Sequence, residues 1–309
     1  MSDTTKIQWA DSTFSPWRGC RKISPGCANC YIYGTTPLRV AGQKSGSKRI
    51  RASVSTWKQP LRWHAQTADG QRIALGRPNK RPKIFPSLCD WLDDEVPIEW
   101  LADFLKLIYH TPNLDWLLLT KRPENWKPRL ALVTSKCATT IRSLDFITAW
   151  LNGCAPDNVW MGTSVENQEM ADKRIPELLK IPAKIRFLSA EPLLGQINFM
   201  EWFGDHDYRP LFRGAIHWVI FGGESGPNAR PCNVEWIWDG LSQCRAADIP
   251  AFVKQLGSRP FLDGQPADPK KRFHCEGRWD GAVFYPGLED KKGGDPAEWP
   301  ADLRVREFP

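Results

Sequence analysis

Short apolar runs alternate with longer segments of helical periodicity from residue 84 onward. Runs of about four to eight residues rich in Ile, Val, Leu, Phe and Trp are typical of buried strands, whereas apolar positions recurring every three to four residues are typical of helices. An earlier strand is predicted to end near Trp17, and the later ones are predicted at Ile84–Leu88, Trp116–Thr120, Val159–Ser164, Ile185–Ser189, Trp218–Gly222 and Ala251–Gln255. Helices are predicted at Ile98–His110, Pro123–Val133, Ser143–Asn152, Gln168–Lys180 and Val234–Ala247.

Strands that alternate with helices in this way predict parallel pairing through right-handed crossovers. Such a chain forms either a doubly wound sheet or a βα barrel, and the position of the polar residues helps to distinguish them. Nearly every predicted strand here ends in polar or reactive groups. An open sheet concentrates function at one switch point, whereas a barrel gathers it at the end of every strand. We therefore expect an α/β fold with a partial or complete TIM-like barrel.

Two regions depart from this alternation. Residues 39–83 contain many Lys and Arg residues but a single acid, Asp69, which predicts a basic insertion. Its two tryptophans, Trp57 and Trp63, are candidates either for stacking on nucleic-acid bases or for packing against the barrel. Residues 258–309 are rich in Pro, Gly and charge, which predicts an irregular C-terminal extension after a barrel domain spanning residues 1–257.

The cysteines provide the clearest chemical signal. Cys20, Cys27 and Cys30 lie within eleven positions with the spacing C-x6-C-x2-C, and the intervening Pro25 and Gly26 predict a turn that lets several sulfurs face one centre. A structural zinc normally takes two separated ligand pairs, and no second Cys or His pair follows here. Three thiolates instead suit a [4Fe-4S] cluster with one open iron. Zinc and an unligated loop remain the alternatives.

Composition and charge indicate where the protein is located and what kind of partner it binds. No apolar run approaches the roughly 20 residues of a membrane span, and residues 1–9 are polar, so we expect a cytoplasmic protein without a membrane partner. Nine cysteines in a reducing compartment indicate metal or redox chemistry more often than disulfides. The net charge of +7 favours an anionic partner. Nothing in the sequence specifies an oligomeric state.

The polar residues at the strand ends are candidate site residues. Glu191 follows an apolar strand, so its carboxylate is expected in the barrel mouth for proton transfer or substrate binding, or else in a salt bridge with Lys254 or Arg230. Glu224 lies in a Gly-rich loop that permits close backbone approach to an anion. Lys121 is expected either to meet a carboxylate or phosphate or to be an exposed charge. Lys254, which ends the last predicted strand, is a further catalytic candidate together with Glu191 and Glu224. The remaining candidates are Ser87, Asp90, Thr120, Ser164 and Glu166.

A three-cysteine loop after the first strand, ending in a cysteine followed by the aromatic Tyr31, resembles the signature of radical S-adenosylmethionine enzymes. Further stretches resemble a phage and bacterial family allied to those enzymes, and they occur in order over most of residues 1–257. These stretches are Lys6–Trp9, Gly19–Tyr31, Leu118–Pro123, Gly162–Gln168, Phe187–Leu194, Phe221–Pro231 and Phe252–Gly257.

The resemblance implies a [4Fe-4S] cluster on the three cysteines and S-adenosylmethionine at its open iron. Reductive cleavage would then give a 5′-deoxyadenosyl radical, with electrons from a reductant such as flavodoxin or ferredoxin. It also implies that Ser164 and Glu166 lie near the nucleoside ribose, and the alternative is a helix-capping role with Glu166 near the start of the following helix. The chain departs from the superfamily in its long first cysteine gap and in a Gly-Gly-Glu motif, residues 222–224, that follows a late strand instead of the second. Ser87 or Asp90 stands at the second-strand position.

The expected function is therefore modification or repair of an unknown substrate by radical chemistry. The basic insertion and the phage-like resemblance favour a base in DNA or tRNA as that substrate. The alternative is a non-catalytic nucleic-acid-binding protein whose cysteines hold zinc.

Overall fold

The computed structural model of the chain describes residues 5–68, 80–137, 141–203, 216–263, 278–280, 283–285 and 287–309. The strands in these ranges are β1 Ser12–Thr13, β2 Trp17–Arg18, β3 Ile50–Arg51, β4 Lys83–Phe85, β5 Asp115–Thr120, β6 Val159–Ser164, β7 Ile185–Ala190, β8 Trp218–Gly222, β9 Cys232–Asn233, β10 Ala251–Gln255, β11 Pro260–Asp263, β12 Arg278–Asp280 and β13 Val283–Tyr285. The α-helices are α1 Thr36–Val40, α2 Val54–Trp57, α3 Gln59–Ala68, α4 Ile98–Tyr109, α5 Trp126–Lys136, α6 Ile141–Leu151, α7 Gln168–Leu179, α8 Met200–Phe203 and α9 Val234–Ala246.

Seven strands form one sheet in the order β1-β4-β5-β6-β7-β8-β10. Every pairing whose register is described within it is parallel. Strands β6 and β8 are buried at every position, as expected where both faces of a parallel sheet are covered. No pairing between β1 and β10 closes the sheet among the described strands. The predicted α/β fold with a parallel sheet is confirmed, and the described strands do not form a complete barrel.

The predicted strands and helices occur close to their expected positions, and the differences have local causes. Strand β4 ends at Phe85 because the next residue, Pro86, has no amide hydrogen to donate to the sheet. Residues 123–125 form a 3₁₀ turn before α5, so this helix begins later than predicted. The first predicted strand is divided at Pro16: β1 joins the main sheet, and β2 pairs antiparallel with β3.

The chain consists of two compact units. The first unit contains residues 1–23, 30–163 and 176–186, and the second contains residues 24–29, 164–175 and 187–309. Cys20 and Cys30 therefore belong to the first unit and Cys27 to the second. The predicted boundary after residue 257, between a barrel domain and a C-terminal extension, stays a prediction.

The basic insertion, in its described part, packs into the first unit. Trp63 of α3 is fully buried, so its interpretation as a base-stacking platform is wrong. The guanidinium of Arg51 lies 4.6 Å from the ring centroid of Trp57. Arg49 is buried against Asp93, with Nε 2.6 Å from Oδ2. Residues 69–79 of the predicted insertion lie outside the described residues.

The predicted C-terminal extension contains regular structure. Strands β11, β12 and β13 lie in this segment and form a four-stranded sheet with β9, which precedes it, so the prediction of an irregular segment is wrong for β11, β12 and β13. Residues 305–307 cover the edge of β10: the amide of Val253 donates to the carbonyl of Val305 at 2.8 Å, and the amide of Glu307 donates to that of Ala251 at 2.8 Å. Within the described ranges, no helix is both long and apolar enough to cross a bilayer.

Candidate functional site

The first unit places several predicted site residues around Asp90. Its carboxylate accepts hydrogen bonds from the Thr120 hydroxyl at 2.6 Å, the Lys121 amide at 3.0 Å and the Leu92 amide at 3.1 Å. Arg122 adds an ion pair of 2.9 Å. These contacts form because Thr120 ends β5 and the next two residues turn toward Asp90, which follows the neighbouring strand β4. Asp90 and Thr120 are brought together and buried.

Cys20 lies beside the same arginine. Nη1 of Arg122 is 3.5 Å from the Cys20 sulfur, and Nη2 donates to the carbonyl of Arg21 at 3.0 Å. The Tyr33 hydroxyl donates to the Cys20 carbonyl. Burial raises the pKa of the Cys20 thiol to about 12, and the nearby Asp90 carboxylate adds to the rise while Arg122 opposes it. Cys20 is therefore a neutral thiol at neutral pH.

Cys30 shares an apolar environment with Cys20. Both cysteines and Tyr33 pack against a buried cluster formed by Ile32, Leu38 and Leu88. The neighbouring Tyr31 donates its hydroxyl hydrogen to the carbonyl of Ser87 at 2.8 Å. Ser87 thus contributes a backbone group to the cysteine segment.

The second unit holds the turn that contains Cys27. Residues Pro25–Cys27 form one 3₁₀ turn, closed by a 2.9 Å hydrogen bond from the Cys27 amide to the Ser24 carbonyl. The amide of Gly26 donates to Oε1 of Glu166 at 3.0 Å. A Cβ at Gly26 would lie 2.9 Å from the Glu166 carboxylate, so a larger residue does not fit without displacement. Cys27 itself is buried.

Glu166 is fixed on its other side by Arg174 of α7. Their side chains are 2.7 Å apart and almost completely excluded from solvent. Arg174 also donates to the carbonyl of Ser164 at 2.8 Å, at the end of β6. The strand end and the first two turns of the helix thus present one Glu166 oxygen to the turn that contains Cys27.

Glu224 makes a second anchor for this turn. Arg230 binds its carboxylate in a bidentate manner, with Nη2–Oε1 of 2.7 Å and Nε–Oε2 of 2.9 Å. Asn29 donates to Oε2 at 3.0 Å, and Arg230 donates to the Pro25 carbonyl at 2.9 Å. Burial alone would raise the pKa of Glu224, but the hydrogen bonds from Arg230 and Asn29 outweigh it and hold this pKa below its usual value.

Glu191 and Lys254 form a separate pair. Their oxygen and nitrogen atoms are 2.8 Å apart, although they belong to the ends of β7 and β10, which flank β8. The intervening β8 residue is Gly222, and a Cβ there would lie 2.8 Å from Oε1 of Glu191. A shift in register between Val253 and Gln255 occurs at Lys254. The salt bridge that the sequence suggested as one alternative for Glu191 is confirmed.

Several residues that hold these groups were not among the candidates, chiefly Arg122, Arg174 and Arg230. Each is an arginine two to ten residues after a predicted strand end, but strand-end position alone does not separate a buried arginine from an exposed one. Asn29 and Tyr33 lie within or next to the cysteine motif, which was their only signal.

The three cysteines are the candidate metal ligands. No group of three or more His, Cys, Asp and Glu side chains is placed to hold a metal ion in the described parts of the chain, which include Cys20, Cys27 and Cys30. The eight described cysteines are all free. The donors fit an iron–sulfur cluster in kind, since a thiol close to a guanidinium, as at Cys20, suits an anionic cluster.

Comparison of the sequence with known families gives one match. A family described as "Protein of unknown function (DUF5131)" matches residues 4–283, which include the cysteine segment and all seven strands of the main sheet. No curated protein and no solved structure matches the chain.

Proposed function

The chain belongs to the DUF5131 family of proteins of unknown function, and for this member we propose the activity of a radical S-adenosylmethionine enzyme. The observation that carries the proposal is the cysteine segment itself. Three thiols follow the first strand of a parallel sheet, and side chains from the ends of β5, β6 and β8 bind the backbone of that segment. Parallel α/β sheets bind their ligands at this end of the strands.

The proposed ligands of a [4Fe-4S] cluster are Cys20, Cys27 and Cys30. Cluster binding would bring the three thiols to one centre. Coupling between metal binding and local folding is common, since sites of this kind are rarely preformed. Arg122, 3.5 Å from the Cys20 sulfur, would stabilise the negative charge that a deprotonated ligand carries.

The bound cluster would supply the electron for reductive cleavage of S-adenosylmethionine, with flavodoxin or ferredoxin as the class of reductant. The proposed task of the chain is to position the substrate and exclude water. Glu191 and Lys254 are the proposed acid–base pair, because Glu191 is 12% exposed and is paired with a single cation. Lys121 would bind an anionic group of the cofactor or substrate.

Metal analysis after anaerobic purification tests this proposal. We expect brown protein with about four irons and equivalent sulfide per chain, and formation of 5′-deoxyadenosine after addition of S-adenosylmethionine and dithionite. Cys27→Ala should remove both, whereas Cys154→Ala, which changes an exposed cysteine far along the sequence, should remove neither. Colourless protein with one zinc would contradict the proposal and favour the zinc-binding alternative.

A nucleic acid is the substrate class that the charge favours. The net charge is +7, and Lys44, Lys48 and Lys58 of the insertion are exposed. Electrostatic binding to DNA or tRNA should weaken steeply as salt rises, because cations that neutralise phosphates release counterions. A fluorescence titration with single-stranded DNA at two salt concentrations measures this, and salt-independent or absent binding contradicts it.

The proposed location of the protein is the cytoplasm. The eight described cysteines are free, as is usual for cysteines in that reducing compartment.

A further inference from the structure

We propose that three acid–arginine pairs, Asp90–Arg122, Glu166–Arg174 and Glu224–Arg230, are positioning elements that hold the backbone around the cysteines. Their carboxylates bind neither S-adenosylmethionine nor substrate. That the cysteine segment binds a cluster rests on the proposed function. The holding itself is a property of the chain without any metal, so the two claims are tested separately.

Each pair contacts the cysteine segment through backbone atoms. Arg122 donates to the carbonyl of Arg21 at 3.0 Å, and Arg230 donates to that of Pro25 at 2.9 Å. Glu166 accepts the amide of Gly26 at 3.0 Å. Contacts of this kind fix the path of the chain and leave the sulfur atoms available to ligands.

Two of the carboxylates already accept four donors each. A carboxylate offers about four acceptor positions. Asp90 already accepts from Thr120, Leu92, the amide of Lys121 and the side chain of Arg122.

Glu224 is occupied in the same way. It accepts the amide and two side-chain nitrogens of Arg230 together with the amide nitrogen of Asn29. Three of these donors share Oε2, and the side chain is only 6% exposed, so an ammonium group or a substrate hydroxyl has little access to Oε1.

Glu166 is excluded from ligand binding by its burial. Its side chain has no exposed surface and lies between Gly26 and Arg174.

Glu191 differs from all three carboxylates. Its Oε1 lies 2.8 Å from Nζ of Lys254, its described ion-pair partner, and its side chain is 12% exposed. Of the acidic residues at these strand ends, Glu191 is therefore the one left for chemistry.

Alkylation of the metal-free protein with iodoacetamide, followed by peptide mass spectrometry, tests the positioning role. Cys27 is buried, so its labelling rate reports local opening of the turn. Cys154 is exposed and serves as the reference thiol, and buried Cys244 of α9 reports global unfolding. Glu224→Gln and Glu166→Gln are the test variants, and Glu191→Gln is the matched control.

We expect each test variant to raise the labelling rate of Cys27 about tenfold relative to Cys154, the effect of losing one charge-assisted hydrogen bond from a locally opening segment. The rate at Cys244 should not change, and Glu191→Gln should change none of these rates. Asp90→Asn should act correspondingly on Cys20. Unchanged labelling of Cys27, or a parallel rise at Cys244, overturns the positioning role.

The outcomes separate the two proposals. If the labelling pattern is as expected but the unmodified protein binds no iron, the positioning role stands and the proposed function fails. If the protein binds about four irons but the labelling rates do not respond, the cluster stands and the three pairs are not its positioning elements.

Discussion

At the scale of single residues, the glycine before Cys27 illustrates how closely the turn is fitted. Gly26 lies against the Glu166 carboxylate, which is held in place by Arg174 and cannot move away without breaking a buried ion pair. Breaking such a pair is costly because it leaves a charge unpaired in the interior. A single added methyl group should therefore disturb the cysteine segment.

Gly26→Ala is expected to lower the free energy of unfolding by about 1–3 kcal/mol, as is usual when a well-packed site is overfilled. The matched control is Gly34→Ala, because a Cβ at Gly34 would meet no atom within 4 Å. That variant should stay within about 0.5 kcal/mol of the unmodified chain. Urea denaturation measures both, and equal values for the two variants would contradict the close fit described for Gly26.

The lowered pKa of Glu224 predicts a dependence of stability on acid. A carboxyl whose pKa is lower when folded stabilises the native state above its unfolded pKa, ordinarily about 4.3, and this contribution disappears as pH falls through the folded pKa. The unfolding free energy of the unmodified protein should therefore fall more steeply below about pH 4.5 than that of Glu224→Gln. Denaturant titrations at pH 7 and pH 3.5 compare them. Parallel losses in the two proteins would show that this carboxylate is not stabilised by folding.

At the scale of secondary-structure elements, the pair Glu191–Lys254 depends on the arrangement of three strands. The two side chains meet across β8 because Gly222 presents no side chain between them. In a double-mutant cycle with Glu191→Gln and Lys254→Met, we expect a coupling energy of about 0.5–3 kcal/mol in urea denaturation. Additive effects would mean that the 2.8 Å contact contributes nothing to stability. If the chain has the proposed activity, Glu191→Gln should also lower turnover while the iron content stays unchanged.

The strands were predictable from sequence because their signal is local. Runs such as Val159–Ser164 and Trp218–Gly222 are apolar along their whole length and occur at the predicted residues. The roles of Asp90 and Glu224 were not predictable to the same degree, since a strand-end position indicates a site without showing which donors occupy it. Only the folded chain shows that each carboxylate accepts four hydrogen bonds from its own neighbours.

At the scale of the whole molecule, the edge strand β10 is protected by a distant part of the chain. Residues 305–307 pair with its backbone, and Phe308 packs against Trp218 and Phe252 with ring centroids 5.3 Å and 5.4 Å apart. An uncovered edge strand of this kind offers unpaired amides and carbonyls to other molecules.

A chain shortened to end at Leu303 should therefore aggregate, which light scattering during gentle heating would detect at a lower temperature than for the full chain. Phe308→Ser is the control, because it removes the ring contacts and keeps the backbone pairing of β10. We expect this variant to unfold at a lower temperature but to remain monodisperse beforehand. If the shortened chain also stays monodisperse, the pairing by residues 305–307 is not what protects the edge.

The sequence separation between β10 and residues 305–307, which pair with it, has a consequence during protein synthesis. Val253 and Val305 are separated by some fifty residues, so at about 5–20 residues per second the ribosome needs about 3–10 s to make the intervening chain. Throughout that interval one edge of strand β10 in the nascent sheet has no pairing partner. Slower translation would lengthen this period of exposure, and a chaperone that binds extended apolar strands would then matter most for the yield of folded protein.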